Sequence, residues 1–219
     1  LLFALGLTAC AGLNSGLVLY HDFDSPSGNV VLDQGCQGNH GTVSGAVHTS
    51  LGTCGGAYQF DGVDDEVTVR DHPTLNPTNE LTLAAWFKCM GPGTNNGIIL
   101  LKGGTPHSGY DVGQYALIYF PNNHQGVQGK VAFSLRRAND SWWREYYCDA
   151  VLATGVWYHV VGTYRSGALD LYVNGEKARA TENLTGPIKI YAGDLYIGSE
   201  HAFPNNEYFK GFIDEVRVY

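Results

Sequence analysis

Leu169-Asp170-Leu171-Tyr172-Val173-Asn174-Gly175 is the stretch on which the reading of the fold turns. Five residues alternate in the period of a half-buried strand. Asn-Gly follows directly, and that pair suits a tight primed hairpin turn. The segment therefore predicts a strand that folds back on its neighbour.

Working outward, the same kind of segment recurs. Strand patterns occupy residues 17–23, 66–70, 81–88, 98–102, 115–120, 130–136, 157–164 and 212–219. Turn clusters separate them, among them Ser25-Pro26-Ser27-Gly28, Gly91-Pro92-Gly93 and Pro121-Asn122-Asn123. No useful helix-period stretch, internal repeat or interior linker interrupts the series. Many short strands at regular spacing imply a sandwich or barrel. Composition agrees, with 29 glycines for turns, 14 tyrosines for strands and 44% hydrophobic residues for a core. A length of 219 residues suits one large all-β domain, read here as residues 13–219. The net charge of −8 repels phosphate backbones and argues against nucleic acid as a partner.

Residues 1–12 read as the remnant of a secretory signal. Leu1 to Cys10 is apolar and uncharged, too short to span a bilayer, and ends in small residues before a cysteine. Leu7-Thr8-Ala9-Cys10 resembles a bacterial lipobox, which would lipidate Cys10. The chain is thus expected outside the cytoplasm, as a bacterial envelope lipoprotein or a secreted protein. Its membrane contact would be confined to that anchor. Four cysteines then remain in an oxidising compartment. Three pairings are possible, and the reading favours Cys36–Cys54 and Cys89–Cys148.

The last strand, Phe212 to Tyr219, places Phe212, Asp214, Val216 and Val218 on one face if alternation holds throughout. An aspartate in an apolar row needs a partner. Either a calcium ion or backbone amides of a turn would satisfy it.

The order of motifs resembles the laminin-G-like jelly-roll domains of the concanavalin-A-like lectin/glucanase superfamily. The matching stretches are Tyr20–Asp24, Gly38–Thr42, Phe60–Val69, Leu81–Phe87, Trp157–Tyr164, Leu171–Gly175, Leu195–Gly198 and Phe212–Tyr219. The resemblance implies an all-β fold of two antiparallel sheets packed face to face, with one concave face. It also implies a structural calcium site where the first and last strands meet. Asp214 is its first ligand by position, with Asp24 or Asp22 second. Carbonyls near Gly55 and Gly56 would complete the shell, and Asn39 is a further candidate.

Glucanases of this fold carry Glu-x-Asp-x-x-Glu on one strand, and the chain has no such pattern. Glu145 and Asp149 share a face without a third acid. G-x-S-x-G, HExxH and P-loop motifs are absent as well. The expectation is a non-catalytic binding module, with a glycan or a cell-surface or extracellular protein as partner. Aromatic rings suit the C–H faces of sugars, so Trp142, Trp143 and Tyr146 are the candidate platform. Asn122 and Asn123 are candidate hydroxyl partners, and Tyr208 and Phe209 a nearby rim.

Overall fold

The structure is a computed structural model. It describes residues 15–25, 27–93, 96–103, 113–122, 126–141, 143–165, 167–200 and 207–219. Cys10, Trp142 and Asn123 lie outside the described residues.

The strands are, in chain order, β1 (Leu19–His21), β2 (Val30–Val31), β3 (Gly41–Ser44), β4 (Val47–Thr49), β5 (Ala57–Asp61) and β6 (Glu66–Val69). A 3-10 turn at Pro73–Leu75 precedes β7 (Glu80–Cys89), β8 (Gly97–Lys102), β9 (Tyr115–Phe120), β10 (Lys130–Leu135) and β11 (Arg144–Tyr147). Then come β12 (Tyr158–Arg165), β13 (Ala168–Val173), β14 (Glu176–Lys177), β15 (Leu195–Ile197), β16 (Ser199–Glu200), β17 (Glu207–Tyr208) and β18 (Lys210–Val218).

One sheet runs β14-β13-β12-β7-β18-β5-β4, with β1 also on β18; the other runs β11-β10-β9-β8-β15-β6-β3-β2. Among the described residues every strand pairing is antiparallel, including β1 against β18, which joins the two ends of the described chain. The core lies between the sheets. Leu83, Phe87, Val160, Leu171, Ile213 and Val218 meet Val67, Leu100, Leu117, Phe133 and Ile197 there. The architecture is the expected two-sheet antiparallel sandwich. The hairpin that opened the reading forms as expected. Asn174 and Gly175 both take positive φ, and Val173 pairs with Glu176.

The last strand departs from strict alternation. Its register against β7 shifts between Asp214 and Arg217, and Glu215 sits at φ 55°. This bulge flips the later half of the strand. Ile213, Val216 and Val218 point into the core, whereas Phe212 contacts Trp157 and Lys88 outside it. The expected shared face of Phe212, Asp214, Val216 and Val218 is therefore split, and Asp214 does not enter the apolar row.

Neither expected disulfide forms. Cys54, Cys89 and Cys148 are free, and Cys36 is bonded to none of them, although it is in a disulfide. The two buried thiols instead donate locally, Cys89 to the Gly91 carbonyl and Cys148 to that of Ala150. Burial pushes both thiols above their ordinary pKa.

Candidate functional site

Two constellations stand out. The first lies where the chain ends meet. Asp214 is completely buried, and its Oδ2 accepts from the Thr53 amide (2.7 Å), the Thr53 hydroxyl (2.8 Å) and the Cys54 amide (3.3 Å). Its Oδ1 is buried without a hydrogen-bond partner. Burial raises the carboxyl pKa, against the lowering effect of the three donors. Asp24 joins from just beyond β1, where its Oδ1 accepts from the Gly56 amide at 2.7 Å.

Glycines make this closeness possible. A Cβ on Gly52 would stand 2.9 Å from Asp214 Oδ2, and one on Gly55 would collide with Asp24 Oδ1. One on Gly56 would strike the Phe23 carbonyl, which His48 Nε2 contacts at 2.9 Å. Phe23 takes φ 57°, rare for a bulky residue, in this turn. Two carboxylates, one with an orphaned oxygen, and the Phe23 and Gly56 carbonyls thus gather around one glycine turn. That donor set has the hard-oxygen chemistry calcium takes.

Thr53, Phe23 and Gly52 belong to this cluster and were not singled out in the sequence. Asp22 touches it only through its Oδ1, which accepts from the Asp24 amide. Asn39 serves elsewhere. Its Nδ2 donates to the Val18 carbonyl and Thr74 Oγ1, and its own carbonyl meets buried His21 Nε2.

The second constellation is a cleft of about 270 Å3 lined by Asn139, Asp140, Ser141, Trp143 and Arg144. Arg137 fixes its floor, donating to Asp140 from Nε at 2.8 Å and Nη2 at 2.7 Å. Those bonds hold the Asp140 carboxyl below its ordinary pKa despite burial. Arg136 adds bonds to the Asp140 and Ser141 carbonyls. Trp143 is half-buried and packs on an apolar cluster that includes Ile98, Leu101, Ile118 and Phe120, on the outer side of the second sheet.

Strand alternation decides the neighbouring tyrosines. Tyr146 is not a platform. It is buried in the inter-sheet core, with the Arg179 guanidinium 5.1 Å from its ring centre. Tyr147 faces outward instead, 5.2 Å from Phe120, and its hydroxyl bonds Glu145. Asn122 is half-buried in the turn after β9 and does not line the cleft. Tyr208 and Phe209 are buried rather than forming a rim.

A pair of acids also went unseen in the sequence. Glu200 and Glu207 face each other across β16 and β17, and Glu200 is nearly buried. Burial, then the charge of Glu207 and a hydrogen bond to it, pushes the Glu200 carboxyl up to about 8. Direct contact is closer than the roughly 5–5.5 Å that a retaining glycosidase uses.

Comparison with known proteins places this geometry. Among solved structures, domain 4 of AbnA, an extracellular GH43 arabinanase from Geobacillus stearothermophilus in complex with arabinotriose, matches with TM-score 0.68 and 19% identity, over 93% of this chain and 91% of that one. The binding domain of Paraclostridial Mosquitocidal Protein 1 matches with TM-score 0.69 and 12% identity, over 95% of this chain but 49% of that one. Trypanosoma rangeli sialidase in complex with sialic acid gives TM-score 0.62 at 17% identity, over 94% and 31%. The chain thus spans about half of the mosquitocidal binding domain and about a third of the sialidase. At these identities the likeness is one of fold. No curated protein matches the chain. The family model Laminin_G_3 matches residues 61–219, so the chain belongs to this family of the concanavalin A-like lectin/glucanases superfamily.

Proposed function

We propose that the chain is an exported, calcium-stabilised carbohydrate-binding module without catalytic activity. The observation that carries the reading is the Trp143 cleft. It joins the Trp143 indole to the amide, hydroxyl, carboxylate and guanidinium groups of Asn139, Ser141, Asp140 and Arg144. Sugars need that combination, because their C–H faces are apolar and their hydroxyls demand fixed donors and acceptors. The arginine-braced turn holds these groups in place before a ligand arrives, which lowers the ordering cost of binding. The arabinotriose complex of the arabinanase domain is consistent with this use of the fold.

Calcium is the ion proposed for the Asp24–Asp214 cluster, with Asp214 Oδ1 as its first ligand. Bound there, it would supply positive charge between two carboxylates and clamp β1, the glycine turn and β18. Export is proposed from the apolar, uncharged, signal-like stretch Leu1–Cys10.

Affinity electrophoresis tests the binding reading. The chain is run through gels cast with arabinan, xylan or β-glucan, next to Trp143→Ala. Retardation by at least one polysaccharide, lost in the variant, is expected. Equal retardation of both proteins would contradict the assignment to the cleft. Reducing sugar released from any of these polymers would contradict the non-catalytic reading.

A further inference from the structure

The outer face of the first sheet carries a second aromatic surface, separate from the Trp143 cleft. Cross-strand register builds it. His159 on β12 pairs with Trp86 on β7, which pairs with Asp214 on β18. Lys88 pairs with Phe212 in the adjoining row. Trp157, just before β12, comes up beside that row, with its ring 6.2 Å from Phe212. Trp86 and His159 lie 5.1 Å apart at 34°. The side chains of Trp86, Lys88, Trp157, His159 and Phe212 are half-buried, whereas that of Asp214 is fully buried.

Lys88 is the distinctive member. Its Nζ stands 5.9 Å from the Trp157 ring centre and 5.1 Å from that of Phe212. Among the described residues it makes no ion pair. The neighbouring cation differs, since Arg217 is bonded to Glu215 and stacked 4.1 Å from Tyr20. An ammonium held over two rings, in a chain of net charge −8, is an unmatched positive point on an apolar floor.

We infer that this face binds sugar chains whose rings carry carboxylates. The rings of Trp157, Phe212 and Trp86 offer stacking faces, and Lys88 offers a charge-assisted bond to a ring carboxylate. A second copy of the chain fits less well. Such a contact would bury Lys88 against a surface whose outer-face carboxylate, Glu215, already has donors in Tyr20 and Arg217. The inference rests on the reading of the chain as a glycan binder, but on different residues.

Calorimetric titration of oligogalacturonate and of oligomannuronate tests it, with the methyl ester of the former as neutral control. Titrations use the chain, Lys88→Gln, Trp157→Ala and Trp143→Ala, each checked for cooperative melting. The acid form of at least one oligomer is expected to bind. Esterification and Lys88→Gln should each weaken binding at least about tenfold, and added salt should weaken it further. Trp157→Ala should abolish it. No binding of either acidic oligomer, or equal affinity for acid and ester, would overturn the inference. Binding lost in Trp143→Ala but kept in Trp157→Ala would assign it to the cleft and overturn it too. So would a dimer in sedimentation velocity that Trp157→Ala dissolves. Failure of these arms leaves the gel result with Trp143→Ala standing, so the two readings fail separately.

Discussion

Asp214 shows how one residue can serve packing and a ligand together. One oxygen takes three donors from the Thr53–Cys54 turn, and the other is buried without a hydrogen-bond partner, where the proposed cation would bind. His21 is the opposite case, a buried histidine with Nε2 against the Asn39 carbonyl and Nδ1 unpaired. Burial lowers its pKa to about 4. The folded state therefore binds fewer protons than the unfolded state between about pH 6.5 and 4. Stability from this site is complete above about pH 6.5 and is lost as pH falls through 4, by about 3 kcal/mol in all. Denaturant melts across this range should show that loss in the parent chain and a flatter profile in His21→Phe. Alkylation in denaturant followed by mass mapping should label Cys54, Cys89 and Cys148 and spare Cys36. At this scale the sequence singled out Asp214 and Asp24, which accept from the same glycine-rich segment, at Thr53–Cys54 and at Gly56. It missed Thr53, because a threonine in a glycine loop carries no period or charge to mark it. The thiol pairing failed because cysteine spacing says nothing about which way a buried side chain turns.

At the scale of elements, long strands were legible and their irregularities were not. The alternation of Leu169–Val173 and the Asn174-Gly175 turn gave β13 and its hairpin directly. The bulge at Glu215 could not be read, since every residue from Phe212 to Val218 also fits an unbroken strand. Tyr146 was misplaced for a related reason: alternation through β11 makes Tyr147 its outward tyrosine. Gly162 shows how tightly the sheets approach. A Cβ there would press on the Phe133 ring, so Gly162→Ala should cost about 1–3 kcal/mol in urea unfolding. The β16–β17 hairpin predicts a pH effect of opposite sign. Glu200 holds its proton above the ordinary carboxylate range, so its contribution is present at acid pH and is lost as pH rises towards about 8. Glu200→Gln should flatten that decline and melt above the parent chain at pH 9.

On the scale of the whole molecule, the sandwich brings its two ends together. β1 lies on β18, and the Asp24–Asp214 cluster sits beside that seam. An ion bound only to the folded state at a hundred times its Kd would add about 2.7 kcal/mol. For a chain of this size that raises Tm by about 5–10 °C. Calcium should produce such a rise in the parent chain and none in Asp214→Asn, while the two melt alike in chelator. An unchanged Tm with no metal found by elemental analysis would remove calcium from the account. The two proposed glycan surfaces lie on opposite outer faces of the sandwich, one on each sheet, so a single sugar chain would not bridge them directly.

The central claim is that this fold binds glycans. A glycan array probed with the chain in calcium, beside Trp143→Ala and Lys88→Gln, tests it most directly. The account predicts reproducible binding, with Trp143→Ala losing neutral ligands and Lys88→Gln losing acidic ones. An array without any bound glycan, from a chain that melts cooperatively, would contradict it and turn the search to protein partners.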